Sequence, residues 1–269
     1  MKIKIYFVTY DNNFELNQTL KTFEKSGIKN YNYEITIVNN HKDKKVELDN
    51  IDLTTKVIDN NTRPIFSTGH LARNWNECLI DGFVDVNNPE ADIVILCQND
   101  VSFNEDVIDT LIEYHKTYSF ITNGSGDAFH SYTIDAIKSV GLWDERFCNI
   151  GWQESDYFLR QIIYNRNSSS INDFYGDRVH NCILYNFLNQ DRVPGYNRGD
   201  QHHIKSLKYH TKSSTVFYNK WPEIPINAWQ NLPEISFDYI KSPQWIMYPY
   251  FEGSIDNLNN KNYMDYGNE

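Results

Sequence analysis

The chain of 269 residues and 31.8 kDa has room for one large α/β unit with a sizeable core, and 40% hydrophobic with 23% charged residues excludes a disordered, collagen-like or coiled-coil protein. Lys and Arg number 25 against 36 Asp and Glu, and the resulting formal charge of -11 argues against nucleic acid or an anionic membrane surface as partner. The longest strongly apolar run, Ile93 to Cys97, is too short to span a membrane, and Met1 to Thr9 alternates too regularly for a signal segment, so a cytoplasmic protein without a transmembrane segment is expected.

Lys2 to Thr9 alternates and is rich in β-branched and aromatic residues, which predicts a strand. Tyr10-Asp11-Asn12-Asn13 then turns the chain and caps a helix bearing Leu16, Leu20 and Phe23 at i, i+4 and i+7, which Ser26-Gly27 ends. A second strand is predicted over Tyr33 to Val38, breaking at Asn39-Asn40, and a short third one around Lys56 to Ile58. A helix capped at Thr68 carries Leu71, Trp75, Cys78 and Leu79 on one stripe. Asp92 to Cys97 is apolar without alternation, the pattern of a central strand covered on both faces, and it stops at Gln98-Asn99-Asp100.

Asn104 is the expected cap of the next helix, with Glu105 and Asp106 in its first turn, and a strand follows over Ser119 to Thr122. Such alternation of strand and helix predicts a mostly parallel sheet with helices on both faces, whose ligands sit beyond the carboxyl ends of the strands. Beyond Asn123 the pattern loosens into a helix from Thr133 to Val140 closed by Gly141, another from Glu154 to Tyr164, and irregular chain over 166–205. The last stretch is aromatic and punctuated by proline, with Trp229, Phe237, Trp245 and Tyr250 suited to stacking or to covering the sheet. The four cysteines, Cys78, Cys97, Cys148 and Cys182, form no C-x-x-C pair and read as reduced thiols.

Several residues could carry chemistry, each with a structural reading beside it. Asp100, ending the most apolar strand, is a hard oxygen ligand for Mg²⁺ or Mn²⁺, or simply a turn former. Glu154 and Asp156 open a helix, where the dipole favours negative charge; one of them suits a general base, and acidic first turns are also ordinary. Arg63 and Arg73 suit a diphosphate clamp or a surface ion pair. His180, His202, His203 and His210 lack zinc-helix spacing, though one could complete a shell begun at Asp100. No phosphate-binding G-x-x-x-x-G-K-[ST], no G-x-G-x-x-G after a strand and no G-x-S-x-G elbow is present.

In order along residues 2 to 221, these segments resemble the GT-A fold nucleotide-sugar glycosyltransferases, most closely the family-2-like group. The carriers are Thr9-Tyr10-Asp11, Val38-Asn39-Asn40, Ala72-Arg73-Asn74, Gln98-Asn99-Asp100 and, most specific, Gly141-Leu142-Trp143-Asp144-Glu145-Arg146-Phe147 followed by Gly151-Trp152-Gln153-Glu154-Ser155-Asp156 and Arg160. The chain departs from the pattern in having two Asn where the second strand usually ends in acids, and Gln-Asn-Asp for Asp-x-Asp.

The resemblance implies a GT-A (Rossmann-like) α/β domain over 1–221, with a nucleotide-binding half (1–122), an acceptor and catalytic half (123–221), and an aromatic extension (222–269) packed on it. It implies catalytic Glu154, as base, and Asp156; nucleotide-sugar contacts from Thr9, Tyr10, Asp11, Asn39, Arg73 and Asn99; and Mn²⁺ or Mg²⁺ on Asp100 with His210, which Lys220-Trp221 follows, or alternatively His180. The implied reaction is an inverting, metal-assisted transfer from a nucleotide-diphosphate donor, commonly a UDP-sugar, to a hydroxyl of a glycan or other acceptor. A weakened sugar- or nucleotide-binding relative is the main alternative; a sugar-phosphate nucleotidyltransferase would need a Gly-rich loop where Asp11-Asn12-Asn13 stands.

Overall fold

Among the described residues, the alternation seen in sequence closes into a seven-stranded sheet with a two-stranded annex. The computed structural model describes residues 1–41, 43–60, 71–122, 128–147, 152–165, 182–184, 188–189 and 213–221. The strands are β1 (Lys2–Thr9), β2 (Asn32–Asn39), β3 (Thr55–Asp59), β4 (Ile93–Gln98), β5 (Ser102–Phe103), β6 (Phe120–Thr122), β7 (Phe129–Tyr132), β8 (Cys182–Leu184) and β9 (Leu188–Asn189). The helices are α1 (Asn13–Phe23), α2 (Leu71–Phe83), α3 (Val107–His115), α4 (Ile134–Val140), α5 (Trp152–Asn165) and α6 (213–220). β1 pairs in parallel with β2 and β4, β2 with β3, and β6 with β8, while β7 runs antiparallel between β4 and β6.

Strand periodicity divides the core into two layers. Ile3, Ile5 and Phe7 of β1 and Ile93, Ile95 and Cys97 of β4 point to one face, where Leu16, Leu20 and Phe23 of α1 and Val107, Ile108 and Leu111 of α3 cover them. Tyr6, Val8, Val94 and Leu96 point to the other, under Trp75, Cys78 and Leu79 of α2, Ala136 and Ile137 of α4, Tyr157 of α5 and Phe217 of α6. Both faces of β4 are therefore dry, which is why its sequence carries no polar alternation. Burying one such Leu, Ile or Phe side chain contributes roughly 1.5–3 kcal/mol. Helix α2 approaches closely at Gly82, where an added Cβ would meet Val94 Cγ2 at 2.6 Å.

Helix boundaries follow local chemistry. Asn12 caps α1, its side-chain oxygen accepting from Glu15 N at 3.4 Å, and Gly27 adopts the left-handed φ of 86° after the helix unwinds. Thr133 and Gly141 bound α4 as expected. Helix α3 starts two residues later than the Asn104 cap predicted: Asp106 holds the cap position and Asn104 O accepts from Val107 N, so Glu105 and Asp106 precede the helix. The Thr68 cap, Arg63, Gly151, Cys148 and the aromatic extension over 222–269 lie outside the described residues. Cys78 and Cys97 are buried free thiols, and burial above all pushes both well above their ordinary ionisation range. Among the described residues no helix is long and apolar enough to cross a membrane.

Candidate active site

Parallel pairing places Thr9, Asn39 and Asp59 side by side at the carboxyl ends of β1, β2 and β3, with Gln98 beside Val8 one strand over. Two of the expected nucleotide contacts, Thr9 and Asn39, are thus adjacent. The Thr9 hydroxyl is buried without a hydrogen-bond partner among the described residues, a costly state for a polar atom. Asn39 is already engaged: its amide nitrogen donates to Lys44 O at 2.7 Å and to Asp59 Oδ1 at 2.8 Å, and its oxygen accepts from His41 N at 3.1 Å. A chain of amides continues the rim, Asn60 donating to Asn40 Oδ1 at 3.1 Å and Asn40 donating to Asn74 Oδ1 at 3.0 Å.

Tyr10 and Asp11 form the outer lip. The Tyr10 ring lies 5.0 Å from the His41 ring, and Asp11, in the left-handed region at φ 50°, pairs with Lys44 at 2.6 Å. Asn99 lies across the β4 end, its amide donating to Asn12 O at 3.4 Å and its carbonyl accepting from Thr19 Oγ1 at 2.8 Å. Asp100 follows in a half-buried turn. Among the described residues no group of three or more His, Cys, Asp or Glu side chains is placed to hold a metal ion; His180, His202, His203 and His210 lie outside them.

The second half of the site is assembled by the Asp144-Glu145 pair, whose role spacing alone did not disclose. Arg73 Nε donates to Glu145 Oε2 at 3.0 Å, and Asn76 donates to Glu145 Oε1 at 2.8 Å. Burial, the largest influence, raises the Glu145 carboxyl to about 7 against the lowering effect of the Asn76 and Arg73 hydrogen bonds. Asp144, fully buried, accepts from Arg146 at 2.6 Å and Lys220 at 2.9 Å. Burial opposes its ionisation, yet Lys220 and Arg146 together hold it well below the usual carboxylate range.

Lys220 also reaches Asp156 Oδ1 at 2.7 Å, Trp221 Nε1 donates to the same oxygen at 2.8 Å, and Arg160 pairs with Asp156 Oδ2 at 2.9 Å. Asp156, expected with Glu154 as a catalytic residue, is buried with both oxygens engaged by Lys220, Trp221 and Arg160. Helical geometry separates the two acids: residues two apart are turned by about 200° and do not share a face. Glu154, 1% exposed, stands in the first turn of α5, where the helix dipole favours a carboxylate. Lys220-Trp221, noted in sequence only for its distance from His210, proves to be the lock between α6 and α5.

No protein-family profile matches the chain, and no curated protein does. Solved structures similar to it include S. aureus TarS 1–349, at 12% identity and a TM-score of 0.43 over 61% of this chain and 56% of that one. The mannosyltransferase PcManGT from Pyrobaculum calidifontis, solved with GDP-Man and Mn²⁺, matches at 10% identity and 0.46 over 81% and 69%. The catalytic domain of Drosophila β1,4-galactosyltransferase 7, solved with xylobiose, matches at 11% and 0.45 over 73% and 71%. The chain thus spans little more than half the length of the TarS chain it matches.

Proposed function

We propose that this protein is a glycosyltransferase that moves a sugar from a nucleoside-diphosphate donor, a UDP-sugar in the first instance, to a hydroxyl of a glycan or other acceptor. The observation that carries the reading is the bridging by Asp144-Glu145: Glu145 holds Arg73 of α2, and Asp144 is tied through Lys220 to Asp156 on α5, whose first turn bears Glu154. An anion-binding cation and a carboxylate from distant parts of the chain are fixed in one framework by buried groups. Displacement at an anomeric carbon needs such preorganisation, since a base and a charge acceptor out of register lose most of their effect.

In this reading Thr9, Tyr10, Asp11, Asn39 and Asn99 frame the nucleoside, the buried Thr9 hydroxyl gaining the partner it lacks. Asn39, its donors already engaged within the protein, shapes the rim through Asp59, His41 and Lys44. Glu154 takes the acceptor hydroxyl's proton as that oxygen forms its bond to the anomeric carbon. The bond to the diphosphate breaks with its electron pair on the departing oxygen, opposite the incoming one, so configuration inverts. Arg73 stabilises the charge that develops there. Asp156 holds the helix that presents Glu154.

A single hard carboxylate at the end of β4 fits Mn²⁺ or Mg²⁺, which take one or two protein carboxylates and fill the remaining positions with water and phosphate oxygens. Asp100 would hold the ion with His210, or alternatively His180, and when bound it supplies Lewis-acid stabilisation of the leaving diphosphate. Residues 1–221 would form the transferase domain, with 1–122 serving the donor and 123–221 the acceptor.

The test is turnover of a nucleotide-sugar panel with Mn²⁺. Wild type releases nucleoside diphosphate, and Glu154→Gln lowers kcat by about 10²–10⁴ with donor affinity retained. Equal turnover by E154Q would remove Glu154 as base, and nucleotide-dependent stabilisation without any turnover would make the protein a binder instead.

A further inference from the structure

The Arg73 guanidinium is anchored through a single atom. Its Nε donates to Glu145 Oε2, and its two terminal nitrogens have no partner among the described residues, while the side chain is 21% exposed. Glu145 is held far more tightly: its side chain is 3% exposed, and Asn76, fully buried, donates to its other oxygen. The Asn76 amide also exchanges hydrogen bonds with the Trp143 backbone, donating to the carbonyl at 2.9 Å and accepting from the N–H at 2.8 Å. Arg73 and Asn76 are three residues apart on α2 and so share a face, which lets one carboxylate span both.

This arrangement differs from a surface ion pair, in which both partners move. Here the carboxylate is fixed and the arginine is oriented by it. A guanidinium held at Nε presents its terminal N–H groups as a fork of defined direction, and that fork matches two phosphate oxygens.

We propose that Glu145 is a positioning residue for the donor: it aims the terminal fork of Arg73 at the diphosphate of the nucleotide sugar, with Asn76 fixing Glu145 in turn. The inference rests on the transferase reading and deepens it by naming what sets the diphosphate contact. Since burial raises the Glu145 carboxyl to about 7, the arrangement is best examined near pH 8, where the group is ionised.

Calorimetric titration of UDP with Mn²⁺ at pH 8 tests it on wild type, Arg73→Met, Glu145→Gln and the double variant. Each single change is expected to weaken UDP by about tenfold or more, the loss of one charge-assisted hydrogen bond. The double variant should stay within about twofold of R73M, because Glu145 acts only through Arg73. In turnover, E145Q lowers kcat/KM for the donor, and, as in binding, the double variant should stay within about twofold of R73M. Should E145Q fail to fold, Glu145→Asp keeps the charge, draws it back by one methylene, and is expected to weaken UDP with the same dependence on Arg73.

UDP binding unchanged in E145Q and E145D, or losses that multiply in the double variant, would overturn the inference and leave the transferase reading standing. Failure of wild type to bind UDP, GDP, ADP or CDP would overturn both.

Discussion

Two polar regions of this molecule are built by opposite means. At the rim of β1, β2 and β3 the polar groups are neutral amides, Asn39, Asn40, Asn60 and Asn74, joined by ordinary hydrogen bonds, with an outer ion pair between Asp11 and Lys44. Beneath α5 the polar groups are ions, Asp144, Lys220, Asp156 and Arg160, each with a side chain at most 1% exposed. Amides can lose one bond and re-aim at modest cost, which suits a surface that receives a ligand. Buried ions tolerate the loss of a charged partner poorly, because an uncompensated charge in low dielectric is far costlier than a missing neutral bond. Under the proposed function, the contrast suits the rim to recognition and the floor to rigidity.

The largest expected effect comes from breaking the floor. Lys220→Met leaves Asp144 and Asp156 without their shared cation, and a loss of about 3–5 kcal/mol in unfolding free energy is expected from chemical denaturation. A loss below about 1 kcal/mol would show that Arg146 and Arg160 suffice and that the lock between α5 and α6 is dispensable.

Titration sharpens the comparison next. His115, at the end of α3, bonds Tyr118 O and Ser131 Oγ, and burial lowers it to about 4. Between about 4 and 6.5 the unfolded chain holds the proton that folded His115 rejects, so its contribution rises with pH and is complete above 6.5. Glu145 works the other way: folded, it keeps a proton from 4.5 up to about 7 that the unfolded chain has released, so its contribution falls as pH rises. Each shift corresponds to roughly 3 kcal/mol across its window. Between pH 5 and 6.5 the slope of stability against pH should therefore be more positive in E145Q than in wild type and more negative in His115→Gln. Parallel slopes in the two variants would contradict the assignment.

Smaller effects belong to the rim. Asn40→Ala removes a donor to Asn74 and an acceptor for Asn60, and should cost about 1–3 kcal/mol by the same denaturation measurement. Lys44→Ala, at an exposed pair, should cost less than about 1 kcal/mol and disappear against wild type in high salt. A rim more sensitive than the floor would invert the comparison.

How much was legible in the sequence follows from the same physics. The run Ile93 to Cys97 announces β4 because a strand dry on both faces has no polar option, and Thr9 and Asn39, expected at two strand ends, lie side by side because parallel strands β1 and β2 end together. β7 has no clear strand pattern in sequence because Phe129-His130-Ser131-Tyr132 buries polar residues at its centre: Ser131, which bonds His115, and His130, whose ring packs 5.1 Å from that of Trp143. Glu145 stands in the Gly141–Phe147 motif, but its bonds to Arg73 and Asn76 are not legible there because those partners lie on α2, some seventy positions earlier in the chain. Glu154 and Asp156, two apart in one helix, are turned to different faces.

Under the proposed function, the rim binds the donor and Glu154, held by the floor, drives displacement of its sugar with inversion. The most direct measurement is proton NMR of the purified protein with Mg²⁺, a panel of α-linked UDP-hexoses and a hydroxyl acceptor or water. Release of UDP, with the sugar appearing first as the β anomer, is the expected result. Donors left intact across the panel, or a product that keeps the α configuration, would contradict it.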